Sequence, residues 1–338
     1  MATRMSAVEP ARLRPHDFTP EPPEPGWVRV AVAACGMCRA DLSTVESGAG
    51  DHPVIAGHEI AGTIAELGAG ETGYTVGDRV AVGWFGGSCG ACRNCRRGDV
   101  VHCPDRRIPG ISYPGGWSES VTVPRSALAR IPDALGFASA APMGCAGVTM
   151  FNAARRIDAG PGAKVAVFGI GGLGHLGVQF ATRMGYEVIA IARGRDREEL
   201  ARSLGAAVYL DSSDREPGQA LRELGGVDAV ISTAPAAEAL GELARGLRAH
   251  GQLIITGTGA GDLELPVGAI VSNALRITGH LTGSPADIED AMRFAVLHGI
   301  RPMVEERPLE EAQQGLEDLA ASAPRFRAVL TTALGRGE

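Results

Sequence analysis

The sequence predicts an α/β chain of two domains, a β-rich module and a doubly wound parallel sheet, on three observations. Its 338 residues, 45% of them hydrophobic, are enough for two medium-sized cores. From Trp27 to about Val123 short alternating strands such as Val28–Val32, Asp78–Val82 and Ser120–Val123 are punctuated by glycine and proline. From about Phe137 apolar strands alternate with helical stretches. The strands there are Lys164–Phe168, Glu187–Ala192, Val227–Thr233 and Gln252–Thr256, and the helices include Leu176–Arg183, Arg197–Leu204 and Ala236–Arg248. Strand–helix alternation implies a parallel sheet covered on both faces. After about Leu281 a helix, Pro285–Leu297, and a strand, Ala328–Thr332, are too short for a domain of their own and are expected to rejoin the first module. The expected domains are therefore 1–146 with 282–338, and 147–281. No internal repeat or low-complexity segment is visible.

A formal net charge of -7 argues against a phosphate-backbone binder, which needs a cationic face to release counterions. The stretch Met1 to Pro10 lacks a signal-type apolar core, and no later stretch has the length of a membrane span. The expectation is a cytoplasmic protein with no nucleic-acid or membrane partner. Seven cysteines in a chain of this size point to thiolates and metal rather than to disulfides.

Cys89, Cys92, Cys95 and Cys103 are separated by two, two and seven residues. Four soft thiolates closing a short, glycine-rich, basic loop suit tetrahedral zinc, where four unrelated thiols so crowded would be hard to explain otherwise. A closed four-sulfur site leaves no position for substrate, so the role expected of it is structural.

Gly169, Gly171, Gly172, Leu173 and Gly174 form a Gly-x-Gly-x-x-Gly turn between the strand Lys164–Phe168 and a helix. In that context the glycines allow a tight turn and let a dinucleotide pyrophosphate reach backbone N–H groups at the helix start, as in a Rossmann domain. The second strand ends at Ala192, where an NAD-binding chain would carry a carboxylate for the ribose. Arg193 and Arg195 follow, with Arg197 close behind, so a 2′-phosphate is expected and NADP(H) is favoured over NAD(H). A solvated, arginine-rich helix start is the plainer alternative.

Cys38, the pair His58–Glu59, and Cys145 supply three further metal-ligand pieces. With the cysteine loop and the glycine turn, they occur in the order and spacing of the zinc-dependent medium-chain dehydrogenases/reductases, and the sequence resembles the alcohol dehydrogenases of that family from about Trp27 to Thr332. The resemblance implies a GroES-like catalytic domain with a structural zinc lobe, a Rossmann domain, and two zinc ions per chain. It implies Cys38, His58 and Cys145 as ligands of a catalytic zinc with Glu59 as the exchangeable fourth, Asp41 orienting the histidine, and Arg327 partnering Glu59. It also implies Arg39 at the pyrophosphate, Thr149 near the nicotinamide, and a homodimer or homotetramer joined at a sheet edge such as Ala274–Gly279. An open metal position suits a Lewis acid for hydride transfer to or from a small alcohol, aldehyde or ketone.

One departure stands out. Where the family usually has a Ser or Thr followed three residues later by a proton-relaying histidine, this chain has Ala40 and Ser43. Alanine cannot carry a proton. Either a water, Ser43 or His280 re-routes the relay, or the chemistry is reduction of an activated C=C or iminium C=N bond. A third alternative is a nucleotide-binding redox sensor without turnover. Trp84 and Trp117 are candidates for a substrate wall or for core, and Cys35 is assigned to core.

Overall fold

The computed structural model describes residues 1–47, 54–257, 259, 261–265, 267–321 and 326–337. The chain divides into two compact units, 1–148 with 282–338, and 149–281.

The first unit opens with an antiparallel hairpin, β1 (Ala2–Glu9) and β2 (Arg12–Phe18). Then come β3 (Trp27–Gly36), β4 (Glu59–Leu67), β5 (Arg79–Val82), β6 (Ser120–Pro124) and β7 (Ala129–Arg130). The second unit holds β8 (Lys164–Phe168), β9 (Glu187–Ala192), β10 (Val208–Asp211), β11 (Val227–Ser232), β12 (Leu247–Ile255) and β13 (Arg276–Gly279). The chain returns to the first unit for β14 (Val304–Pro308) and β15 (Arg327–Thr331).

In the first unit the order is β14-β15-β3-β4-β5-β7, with β6 also paired to β3. Alternate residues of β3, Val28, Val30 and Val32, enter a core shared with Ile60, Ile64, Val80, Val82 and Trp117. This is the period-2 burial of a strand with one face inside. Leu309, Leu316 and Leu330 from the returning segment complete that core.

In the second unit the order is β10-β9-β8-β11-β12-β13, all parallel, which is the doubly wound Rossmann order with its reversal between β8 and β11. The inner strands β8 and β9 are buried on both sides: Ala166 and Phe168 face one core with Ile189, Ile191 and Leu253, and Val167 faces another with Val178, Ala181 and Val188. That explains their unbroken apolar runs.

One expectation needs correction. The helix expected over Ala236–Arg248 stops at Arg245, and β12 already begins at Leu247, because Gly246 closes the helix and Leu247 pairs with Val227. For Trp117 the structure decides between the two alternatives left open: it is completely buried among the first unit's core side chains, so it is packing and not a pocket wall. The β1–β2 hairpin and β10 have no counterpart among the expected strands. β2 is mostly exposed and carries Pro15, His16 and Asp17, so its alternation is invisible. Among the described residues no helix is long and apolar enough to cross a membrane.

Candidate functional site

Cys38 ends the loop after β3 and is the N-cap of the helix Arg39–Glu46. Asp41, in the first turn of that helix, accepts the Cys38 backbone N–H at 2.8 Å, the Gly57 N–H at 3.2 Å, and the His58 Nδ1 proton at 3.0 Å. One buried carboxylate thus caps the helix, pins the turn before β4, and sets the imidazole tautomer so that Nε2 keeps its lone pair. Glu59 follows as the first residue of β4, and Cys145 sits between the turn Ala141–Gly144 and the helix Ala146–Arg155.

The result is one ligand atom each from Cys38, His58, Glu59 and Cys145, all within 4.8 Å of one another. His58 Nε2 and Glu59 Oε2 are buried and have no hydrogen-bond partner, an expensive state for protein atoms alone. A cation at the centre would satisfy both, and the donor set of two sulfurs, one imidazole and one carboxylate suits zinc. Glu59 Oε1 is held by the buried guanidinium of Arg327, from β15. The His58 and Trp84 rings meet edge to face, with centroids 4.7 Å apart, and the backbone N–H of Trp84 donates to the Gly144 carbonyl beside Cys145 at 3.4 Å.

Crowded into one buried cluster, these groups shift one another's protonation. A hydrogen bond from the Cys145 thiol holds Cys38 well below the ordinary thiol range, and the same bond raises Cys145 well above it. Burial pushes Glu59 up to about 7 against the pull of Arg327. Burial works to lower His58, but the charge of Asp41 and its hydrogen bond outweigh it and raise the imidazole well above its usual value. Cys35, close by, is raised by burial and lies in the core.

The second cluster is Cys89, Cys92, Cys95 and Cys103, with four sulfur–sulfur separations of 3.5, 3.5, 3.9 and 4.0 Å. A tetrahedron with arms of about 2.3 Å has edges of about 3.8 Å, whereas a disulfide would need about 2.05 Å. Backbone N–H groups of Cys89, Cys92 and Cys95 point at Cys103, Cys89 and Cys92 sulfur, at 3.5, 3.3 and 3.5 Å. N–H groups of Ala91 and Cys92 lower Cys89 to about 7, which favours the thiolate.

In the second unit the glycine turn joins β8 to the helix Gly174–Arg183. Gly174 has no room for a side chain, since a Cβ there would lie 1.8 Å from the Gly169 carbonyl oxygen. A Cβ on Gly171 would meet nothing within 4 Å. Packing demands the first of these glycines and not the second, whose bare face is what a close-approaching pyrophosphate requires. Thr233, at the end of β11, donates to the Gly169 carbonyl at 2.6 Å and closes the switch point.

Past Ala192, Arg193 is exposed, with no polar partner among the described residues. Arg195 is 72% exposed and pairs with Glu198 and Asp214 at 3.4 and 3.6 Å. Arg197 donates to the Ile170 carbonyl in the glycine turn at 2.9 Å. Thr149 donates to the Leu281 carbonyl at 3.0 Å, and Arg156 donates to His280 Nδ1 at 2.7 Å. Arg39 and Ser43 are exposed on the helix after Cys38, with Ala40 half-buried between them. Thr233, Tyr209 and Asp211 are not among the residues that the sequence singles out. Of these only Asp211-Ser-Ser at a strand end carried a signal, that of a turn-forming Asp.

Comparison with known proteins gives consistent findings. The family model described as the alcohol dehydrogenase GroES-like domain matches residues 24–133, and that described as zinc-binding dehydrogenase matches 172–296. Alcohol dehydrogenase patD of Penicillium expansum is 41% identical over 91% of this chain and 91% of its own. NADP-dependent alcohol dehydrogenase C 1 of Mycolicibacterium smegmatis is 34% identical over 97% of this chain and 96% of its own. The solved structure of a cinnamyl alcohol dehydrogenase from Sorghum bicolor superimposes with a TM-score of 0.86 at 31% identity, covering 98% of this chain and 97% of that one.

Proposed function

This chain belongs to the zinc-type medium-chain dehydrogenase/reductase family, and we propose that within it the protein transfers hydride between NADP(H) and a small alcohol, aldehyde or ketone. It is an oxidoreductase of the alcohol dehydrogenase type, which sets aside the turnover-free redox sensor. The observation that carries the proposal is the buried cluster of Cys38, His58, Glu59 and Cys145, with two of its donor atoms orphaned.

When bound, zinc supplies Lewis acidity at a substrate oxygen and the nicotinamide supplies or accepts the hydride. Cys38, His58 and Cys145 would hold the metal, and Arg327 would hold Glu59 ready to enter or leave the fourth position. Asp41 keeps the His58 proton on Nδ1. Cys89, Cys92, Cys95 and Cys103 would hold a second, structural zinc, giving two per chain.

For the cofactor, Gly169, Gly171, Gly172, Leu173 and Gly174 would receive the pyrophosphate, with Thr149 at the nicotinamide. The preference for NADP(H) is supported by exposed Arg193, which has no polar partner among the described residues, and by Ala192 in place of a carboxylate. A homodimer or homotetramer through β13 is supported by that strand's position at the sheet edge and by exposed Val267 and Val271 in the preceding helix. A cytoplasmic setting suits seven cysteines with no disulfide among them.

A second reading, reduction of an activated C=C or iminium C=N bond, is favoured by Ala40, which offers no hydroxyl where the first relay group would stand. Ser43, exposed one turn further along the same helix, is the nearest replacement in sequence. NADPH deuterated at the transferable C4 position, incubated with cinnamaldehyde and followed by NMR, separates the two. Deuterium on the former carbonyl carbon supports the proposal, and deuterium on the β-carbon replaces it with the second reading.

A further inference from the structure

Five residues, Arg193 to Arg197, join β9 to the helix Glu198–Ser203, and three of them are arginines. At their centre Gly194 adopts φ +72°, a left-handed conformation that a side chain would strain. A turn of this composition should be the loosest part of the nucleotide domain's strand ends. Here both backbone polar groups of Gly194 are taken by the neighbouring strand. Its N–H donates to Asp211 Oδ1 at 2.8 Å, and its carbonyl accepts the Tyr209 hydroxyl at 2.6 Å.

Tyr209 and Asp211 are two apart on β10, so they share a face, and they pair in register with Ala190 and Ala192 of β9. The Tyr209 ring is packed with Val188, Ala190 and Ala201 in the core, so its hydroxyl is held from beneath. Asp211 Oδ1 is fixed in turn by the Ser213 backbone N–H at 2.8 Å and hydroxyl at 2.6 Å. The turn is thus gripped at both backbone groups of Gly194 by one strand that does not belong to it.

We propose that Tyr209 and Asp211 are positioning residues that clamp Gly194 and thereby pre-set Arg193 for a 2′-phosphate, so that cofactor choice resides partly in β10. The inference rests on the NADP(H) reading above. A guanidinium on a fixed backbone loses less freedom when it pairs with phosphate than one on a loose turn, and that difference appears as affinity for the 2′-phosphorylated ligand alone. Asp211 also brings a negative charge, which by itself opposes a phosphate. The clamp and the charge make opposite predictions for the same residue.

The test is calorimetric binding of 2′,5′-ADP and 5′-AMP, two adenosine ligands that need neither metal nor turnover, to the wild type and to Tyr209→Phe, Asp211→Ala and Asp211→Asn. The wild type should bind 2′,5′-ADP tighter by about tenfold or more, as a charge-assisted pair to arginine warrants. Tyr209→Phe and Asp211→Ala should each shrink that ratio roughly fivefold, the net worth of one hydrogen bond. Asp211→Asn keeps the acceptor oxygen and should restore the ratio. In turnover the KM for NADPH should rise in the first two variants while kcat holds. Equal weakening of both ligands, an unchanged ratio in Tyr209→Phe, or a larger ratio in Asp211→Ala would overturn the clamp. A wild type that binds the two ligands alike would overturn the NADP(H) reading first and the clamp with it.

Discussion

The four-cysteine lobe draws its donors from fifteen consecutive residues, Cys89 to Cys103, whereas the other cluster gathers Cys38, His58, Glu59 and Cys145 from three separate stretches of the first unit. The lobe's sulfurs already stand at tetrahedral edges, and three of its own backbone N–H groups point at them. It is complete by itself and partly exposed. The second cluster is buried, its histidine is oriented by Asp41, its glutamate is restrained by Arg327, and two of its donor atoms are left without partners. A closed site contributes to folding, while a site with an exchangeable ligand and an outer support contributes to chemistry. The same contrast predicts which damage shows in rate and which in melting.

The largest expected effect is on rate. His58→Ala removes a metal donor from the supported cluster and should lower kcat/KM by about a thousandfold, the scale of several kcal/mol of Lewis-acid help, while the melting temperature moves little. Cys95→Ser should do the reverse. With three sulfurs the lobe loses its cross-link, at about 3 kcal/mol or roughly 6–12 °C in Tm, and kcat/KM of the folded enzyme stays within about threefold. Equal effects of the two variants on both quantities would erase the distinction between the sites.

Smaller effects sharpen it. Asp41→Asn keeps an acceptor for His58 Nδ1 but drops the charge, and competition with a chelator should show metal affinity at the supported cluster weakened about 10- to 100-fold. An unchanged affinity would make Asp41 a helix cap and nothing more. The smallest effect is that of Ala40→Ser, which restores a hydroxyl after Cys38 and should raise alcohol oxidation by up to about tenfold. If oxidation does not rise, Ala40 does not limit the reaction.

What could be read from the sequence follows the same division. The lobe was legible because its spacing is local, and the glycine turn because its flanking strand and helix are contiguous with it. Cys38, His58, Glu59, Cys145, Asp41 and Arg327 came from resemblance, since nothing in a single chain says that residue 327 meets residue 59. β8 and β9 appear at their expected bounds because strands buried on both faces spell unbroken apolar runs. The helix over Ala236–Arg248 was overrun because the helical pattern continued into Leu247, which pairing with Val227 turns into strand. The grip of Tyr209 and Asp211 on Gly194 was invisible because it depends on strand register.

The most direct test of two zinc sites of different kinds is a zinc count by mass spectrometry on the purified wild type, Cys38→Ser and Cys95→Ser. Two, one and one zinc per chain are expected, and of the two variants only Cys95→Ser, which keeps the ion at Cys38, His58 and Cys145, should turn over. A wild type with one zinc that survives Cys38→Ser would contradict two sites of different kinds.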